Sequence, residues 1–456
     1  MRRALVVGAG FEGLASAFYL ADSYGCDVTI LDAAPRLGGV MQGMRHDAFH
    51  LDFGCQVFDN FDPRVSNAIL TLADNKCQMD TISYASRFAG IISDRVSVPD
   101  LTGLPTGMLA AIQRETIESG QDGLDAETLS DYYAARWGKT AATHLDRINI
   151  KALDESADKL DQSSRIYAGL ARVRMFEDDA HALKLKAQDA RLDAKIAVPR
   201  AVSQFYSEAQ SGLSDQNIIP VPDSLGGFCA SAGDALEKRG VDLRLGSEIQ
   251  GVSVDEMSGK VTVSVVQGKR QTDFEADLLV WCGSFERLCA SLKVACDTER
   301  YLDPIGTTLT YFFAPKNSIS PIGYLQNYDA DMRFFRWSSM GTYTRQVSED
   351  GMTFCCVETP SKENRDRDDP QSEALRDWND LKALGLVSGD PGAPALRRFV
   401  PNVIKRRKPG YTSAALIAQR TIDLQFGMSI VYQTADSFGR TPTARQLYDK
   451  IDGLLS

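Results

Sequence analysis

The sequence predicts an α/β fold at its amino terminus, in which parallel strands alternate with helices. An apolar run from Ala4 to Val7 meets the turn Gly8-Ala9-Gly10-Phe11-Glu12-Gly13, and apolar residues then recur at helical spacing from Leu14 to Ala21. A second apolar run, residues 28–31, stops at Asp32. The order strand, glycine turn, helix, strand, acid is that of a Rossmann-like dinucleotide-binding unit.

Each residue of the turn has a physical role in such a unit. Gly8 permits the tight turn out of the strand, Gly10 lets the backbone approach a diphosphate, and Gly13 lets the helix pack closely on the sheet. Phe11 and Glu12 lie in the first helical turn, whose open N–H groups and positive dipole end attract phosphate. We therefore expect all five to be cofactor-binding residues.

Asp32 lies about twenty residues beyond the glycines, at the end of the second strand. A carboxylate there can accept hydrogen bonds from ribose hydroxyls and would repel a 2′-phosphate. Its neighbour Ala33 belongs to the same expected site.

Composition limits the classes of partner. The chain has 456 residues, enough for two or three domains, and a net charge of −11. This charge argues against broad attraction to nucleic acid or anionic membranes, so an anionic small molecule would need a local basic pocket. The oligomeric state stays open.

The nine cysteines form no C-x-x-C pair and no cluster with histidine at metal spacing. We therefore expect reduced thiols, no metal site and a cytoplasmic location. The basic start Met1-Arg2-Arg3 is followed by an apolar run too broken by glycine for a secretory leader, and no apolar run is long enough to span a membrane.

Two motifs follow Asp32 and narrow the type of nucleotide. They are Arg36-Leu37-Gly38-Gly39 and Asp52-Phe53-Gly54-Cys55-Gln56-Val57-Phe58. With the glycine turn and the acid, they resemble the FAD-dependent superfamily of amine oxidases, protoporphyrinogen oxidases and UDP-galactopyranose mutases. The resemblance implies FAD as the cofactor, bound noncovalently, with Arg36, Gly38, Gly39, Gly54, Cys55 and Gln56 beside it.

The resemblance extends to the later part of the chain. A Gly226-Gly227 helix is followed by strands in which Ile249 and Val252 would lie on the adenine side. Near the carboxyl end, Ala435-Asp436 stands where the superfamily places a flavin-site acid, whereas Gly439-Arg440 matches the mutases only loosely.

The resemblance implies a discontinuous Rossmann-like FAD-binding domain of the GR2 type, formed by residues 1–78, 222–300 and 420–456. The inserted substrate domain would consist of a helical lobe, residues 79–221, and an antiparallel sheet, residues 301–419. The helical prediction follows from the many alanines and few glycines of the first segment, and the sheet from the β-formers of the second.

Within the predicted sheet, most aromatic residues are expected to be core, but alternate positions can face a substrate. We name Tyr311 and Arg336 as candidate substrate residues. The basic segment Lys405-Arg406-Arg407-Lys408 is either a solvated loop or a clamp for a diphosphate or carboxylate, in which Lys405 and Arg406 would bind the anion.

Three functions fit these observations. The first is an FAD-dependent oxidoreductase that transfers a hydride from a small-molecule substrate to flavin N5. The second is a UDP-galactopyranose mutase-like enzyme acting on a sugar nucleotide, although Cys55-Gln56 stand where similar mutases have a histidine pair. The third is an inactive FAD-binding scaffold. No histidine stands out as a general base, and the substrate and electron acceptor stay open.

Overall fold

The computed structural model of the chain describes residues 1–60, 62–199, 214–362, 369–435, 437 and 439–456. These residues form two compact units. The first unit comprises Met1–Met79, Asn217–Arg300 and Thr412–Ser456, and the second comprises Asp80–Gln216 and Tyr301–Tyr411.

The first unit is built on a five-stranded parallel sheet. Its strand order is β10 (Asp242–Leu245), β2 (Asp27–Asp32), β1 (Arg3–Val7), β14 (Leu278–Trp281) and β20 (Ile430–Tyr432). The central strands are almost wholly buried and rich in Val, Ile and Leu, as expected of parallel strands covered on both faces.

Five helices accompany this sheet: α1 (Phe11–Tyr24), α2 (Pro63–Leu72), α8 (Ser224–Glu237), α9 (Phe285–Leu292) and α13 (Arg440–Leu455). Helix α12 (Tyr411–Phe426) begins at the boundary between the units. Helix α1 ends at Gly25, whose φ of 59° suits glycine, and Tyr19 on it stacks on Tyr448 of α13 with ring centroids 3.9 Å apart. The amino- and carboxyl-terminal segments thus share one core.

Smaller sheets complete the first unit. They are the antiparallel trio β11 (Glu248–Val254), β12 (Val261–Gln267) and β13 (Arg270–Ala276), the pair β3 (Met44–His46) and β4 (Phe49–Leu51), and the trio β5 (Phe58–Asp59), β9 (Asn217–Pro220) and β6 (Cys77–Asp80).

The second unit contains a seven-stranded sheet. Its order is β19 (Leu396–Arg407), β15 (Leu302–Pro315), β18 (Met352–Ser361), β17 (Arg336–Ser338), β16 (Tyr324–Asn327), β7 (Tyr84–Phe88) and β8 (Ile91–Ser93). The pairs are antiparallel except β16 with β7.

The helices of the second unit are α3 (Thr106–Glu118), α4 (Leu129–Leu153), α5 (Arg165–Ala168), α6 (Asp179–Gln188), α7 (Ala190–Asp193), α10 (Met340–Tyr343) and α11 (Pro370–Ala383). Helices α3 to α7 enclose their own core, in which Tyr132, Tyr133, Trp137 and Leu145 are fully buried. An α/β architecture with a Rossmann-like unit, an antiparallel sheet and a helical lobe was the predicted fold class, and the structure confirms it.

Two local expectations were wrong. Residues 405–407 continue strand β19 rather than form a loop, because Arg406 and Arg407 are buried and pair along β15. Residues 84–88 and 91–93, inside the segment expected to be helical, are strands β7 and β8 of the sheet.

The structure also bears on the membrane question. Among the described residues, no helix has both the length and the apolar character needed to cross a bilayer.

The close packing of α1 on β1 generates the first prediction. A Cβ added at Gly13 would lie 1.8 Å from the carbonyl oxygen of Gly8, so Gly13→Ala must displace backbone and should destabilise the protein by about 3 kcal/mol. Gly453→Ala, in α13 with open space around it, should be neutral or stabilising. Urea unfolding of both variants measures the difference, and equal midpoints would contradict the assigned packing.

Candidate nucleotide site

The turn after β1 has the geometry of a phosphate cradle. Gly8 has a φ of 102° and its N–H donates to the carbonyl of Leu31 on the neighbouring strand at 2.9 Å. Gly10 precedes the first turn of α1, and no side chain caps that helix end. A Cβ added at Gly10 would meet only Glu12 Oε2, at 3.8 Å. The first N–H groups of α1 therefore open onto space that suits an anion.

The Arg36-to-Gly39 segment closes over this turn. The N–H of Gly38 donates to the carbonyl of Ala9 at 2.7 Å, and a Cβ added at Gly39 would lie 3.8 Å from the Cα of Gly10. Gly38 and Gly39 both have positive φ, which favours glycine, and at Gly38 an added Cβ would also clash with the side chain of Cys229. Arg36 itself is exposed.

Asp32 holds the two loops together. One carboxylate oxygen accepts the N–H of Ala9 at 2.5 Å, and the other accepts the N–H of Ala34 at 2.6 Å. Each carboxylate oxygen can accept a second hydrogen bond, so this anchoring leaves capacity for ribose hydroxyls. Asp32 thus has a structural role that its position in the sequence did not reveal.

A cavity of about 340 Å³ adjoins Asp32 at the carboxyl ends of β1, β2 and β14. This edge of a parallel sheet is where Rossmann-like folds bind nucleotides. The lining residues come from these strand ends, from β11 and from one side of α9: Val7, Gly8, Leu31, Asp32, Ala33, Glu248, Ile249, Gln250, Trp281, Gly283, Arg287, Ala290 and Ser291.

Ile249 lines this cavity, as expected of an adenine-side residue, whereas Val252 is buried in the small sheet and does not line it. Arg287 and Ser291 were absent from the sequence-based site, because a short amphipathic helix carries no nucleotide-binding motif. Their spacing of four places both on one side of α9.

The expected flavin-side segment follows β4. Gly54 has a φ of 83°, and Gln56 is buried, donating to the carbonyl of Phe53 at 2.7 Å and accepting from Arg440 Nη2. Cys55 is half-buried. The carbonyl of Gln42 lies 3.1 Å from Nε2 of His50, which is buried against Gly226, so His50 has a packing role.

Asp52 is the most strongly perturbed acid in this segment. It is buried and accepts the N–H of Leu225 at the start of α8, at 3.3 Å. Burial raises the pKa of Asp52 to about 8, opposed by its hydrogen bonds with Leu225 and Ser224 and by the charge of Arg440.

Arg440 is the residue that the sequence reasoning underrated. It begins α13, and its positive charge acts on Glu12 and Asp52 as well as bonding Gln56. Burial raises the pKa of Glu12 while Arg440 lowers it. The net result is a raised pKa, which reduces the charge that a carboxylate beside Gly10 would present to a phosphate. The loosely matched Gly439-Arg440 pair was the available signal.

The structure therefore gathers most predicted cofactor residues in the first unit. The side chain of Phe11 cannot contact a ligand, because it is buried against Phe58, so only the backbone of Phe11 is available. Asp436 lies outside the described residues. The predicted substrate residues Tyr311, Arg336, Lys405 and Arg406 lie in the second unit, on strands of its sheet.

Arg406 has a structural function in that sheet. Its side chain is fully buried, is paired with Asp303, and donates to the carbonyls of Leu153 and Asp154 at 3.0 Å. Lys405 is exposed. The two residues proposed as a clamp thus have different environments, and only Lys405 is open to a ligand.

The glycine turn, the acid and the sheet define a Rossmann-like dinucleotide-binding fold. The comparisons agree: the family model of the NAD(P)-binding Rossmann-like domain matches residues 6–72. The comparison with curated proteins gave no match.

Solved structures resemble the chain over nearly its whole length. A reduced UDP-galactopyranose mutase superposes with a TM-score of 0.70 at 13% identity, covering 100% of this chain and 94% of the mutase. An oxidoreductase from Methanosarcina mazei gives 0.57 at 13% identity, covering 99% and 100%. A putrescine oxidase mutant, made in a redesign of cofactor binding, gives 0.56 at 13% identity, covering 99% and 98%. The chain thus has the fold shared by these enzymes, which confirms the sequence-based resemblance at the level of the fold.

The raised pKa of Asp52 generates the second prediction. Because the pKa is higher in the folded than in the unfolded protein, the wild type should lose stability as the pH rises from about 4 through about 8. Asp52→Asn removes this cost, so its stability advantage should grow over that window to on the order of a few kcal/mol. Thermal unfolding at pH 5 and pH 9 measures this gap. Asp27→Asn, at an exposed position on β2, is the control, and a pH-independent gap for Asp52→Asn would refute the assignment.

Proposed function

We propose that this chain is an FAD-dependent oxidoreductase acting on a small-molecule substrate, with FAD held noncovalently. The observation that carries the proposal is the uncapped start of α1 at Gly10, which faces Gly39. The preceding end of β1, at Val7 and Gly8, lines the cavity beside Asp32. A diphosphate at the helix start, joined to a ribose beside Asp32, fits this arrangement.

The residues present suit FAD in three respects. The N–H groups of α1 and the glycine backbones would hold the diphosphate, and Asp32 would accept from the ribose. Ile249 and its cavity neighbours would take the adenine. The motif from Gly54 to Gln56, bonded to Arg440, would lie toward the flavin. When bound, FAD supplies the redox chemistry by accepting a hydride at N5.

The chain's own contribution is position and electrostatics. The positive charge of Arg440 acts on Glu12 and Asp52, and its side chain orients the amide of Gln56. Asp32 fixes the loop that carries Gly10 through its bond to Ala9. These contacts keep the cradle in one geometry before the cofactor binds.

A nonredox flavoenzyme is the second candidate, favoured by the full-length similarity to a reduced UDP-galactopyranose mutase. The two candidates differ in electron balance. An oxidoreductase leaves the flavin reduced by its substrate, whereas a mutase turns over only with flavin reduced beforehand and transfers no net electrons.

The visible spectrum and the turnover of the purified protein therefore distinguish the two candidate functions. We expect a visible flavin band near about 450 nm, bleaching by a substrate from a panel of amines and other small molecules without air, and complete release of FAD on denaturation. Turnover of a nucleotide sugar only after chemical reduction would favour the mutase. Folded, colourless protein that ignores added FAD would exclude both.

Gly10 provides the mutational test. Its φ of −73° and open surroundings let a side chain fit the empty fold, so Gly10→Val should fold normally yet lose FAD, because the side chain occupies the diphosphate position. The flavin-to-protein absorbance ratio, with thermal unfolding as the check on folding, measures the effect. Gly453→Val, in open space on α13, should stay yellow, and a fully loaded Gly10→Val protein would refute the site.

A further inference from the structure

The seven-stranded sheet of the second unit has two chemically different faces. Phe312, Leu325, Trp337 and Val357 point to one face and pack with Trp378 of α11 in an apolar core. Side chains alternate along a strand, so the residues between these point to the opposite face.

Strand register lines up two rows on that opposite face. In one row Glu358 pairs with Arg336, Arg336 with Gln326, and Gln326 with Ser86. The adjacent row runs across five strands: Tyr311, Cys356, Ser338, Tyr324 and Tyr84. We call these two rows the polar face.

Two hydroxyls of the polar face are not satisfied by the protein. Ser86 and Ser338 are at most 1% exposed, and their Oγ atoms have no hydrogen-bond partner among the described residues. Buried hydroxyls are normally paired, so these two are unmet hydrogen-bonding groups on the polar face.

Arg336 and Glu358, the charged pair in the first row, differ in solvent exposure. Arg336 Nη2 lies 2.6 Å from Glu358 Oε2, and the side chain of Arg336 is 36% exposed while that of Glu358 is only 5% exposed. The side chain of Arg336 is therefore partly open to a ligand, although its Nε is buried, whereas the carboxylate of Glu358 is closed. Glu358 fixes the orientation of the planar group that a ligand would meet.

Among the other arginines of this sheet, Arg397 and Arg406 are closed to a ligand, whereas Arg398 is exposed and continues the first row beyond Leu309. Arg397 is paired with Asp377 at 2.8 Å with both side chains at most 5% exposed, and Arg406 is fully buried against Asp303. The net charge of −11 makes a local cation necessary for an anionic ligand, and Arg336 supplies an accessible one within the polar face.

We infer that the polar face binds the substrate, and that this substrate carries an oxyanion, a carboxylate or a phosphate, held by Arg336. Tyr84 and Tyr324, which are half-buried and whose rings are 5.9 Å apart, then contact its apolar part. The anion site stands on the second unit alone, whereas its designation as the substrate site rests on the proposed function.

Calorimetric titration of the purified holoprotein tests this with three probes: benzoate, phenyl phosphate and neutral benzamide. We expect at least one anion to bind and benzamide to bind more weakly. The preferred anion distinguishes a carboxylate from a phosphate substrate. Arg336→Gln should weaken anion binding roughly 10- to 100-fold, the range for a hydrogen bond to a charged group.

Arg336→Lys is the second variant, because it keeps the charge but loses the planar fork, so its affinity should fall less than that of Arg336→Gln. The matched control is Arg376→Gln, which removes an exposed arginine paired with Glu373 on α11 of the same unit. Absence of anion binding, or unchanged affinity in the folded Arg336 variants, would overturn the inference.

The flavin spectrum of the same samples separates the two proposals. Yellow protein that ignores both anions overturns the anion site and leaves the oxidoreductase proposal standing. Colourless protein that binds an anion through Arg336 supports the anion site and contradicts the flavin proposal.

Discussion

The nucleotide site depends on the close approach of α1 to β1. At Gly13 the helix lies so near the carbonyl of Gly8 that no side chain fits between them. This approach aims the start of the helix at the turn from Gly8 to Gly10, where its N–H groups are open. A larger residue at Gly13 would tilt the helix and disperse the partial positive charge that makes the turn attractive to an anion.

Near this contact, the carboxylate of Asp32 holds two loops together through hydrogen bonds. It bonds the glycine turn on one side and the loop after β2 on the other. Removing it would change the shape of the site as well as its hydrogen bonds. Arg440, at the start of α13, adds a positive charge that acts on Glu12 and Asp52, whose pKa values are raised by burial.

Much of the first unit could be predicted from the sequence because its signals are local. The glycine turn, the buried strand before it and Asp32 lie within thirty residues and follow fixed spacings. Arg440 and Arg287 could not be predicted, because they depend on contacts between segments far apart in the chain. The second role of Asp32 depends on the direction of its carboxylate, which residue spacing does not give. The role of Arg406 was missed for the same reason: only its pairing with Asp303 distinguishes a buried cation from an exposed one.

The order of the strands has a consequence for biosynthesis. Strand β14 pairs with β1 some 270 positions earlier, and β20 joins β14 only after a further stretch that belongs to the other unit. During translation β1 can pair with β2 early, but its other edge stays unpaired until β14 has been made. The five-stranded sheet is therefore complete only after the whole second unit has been synthesised, so its unpaired edges persist through most of translation.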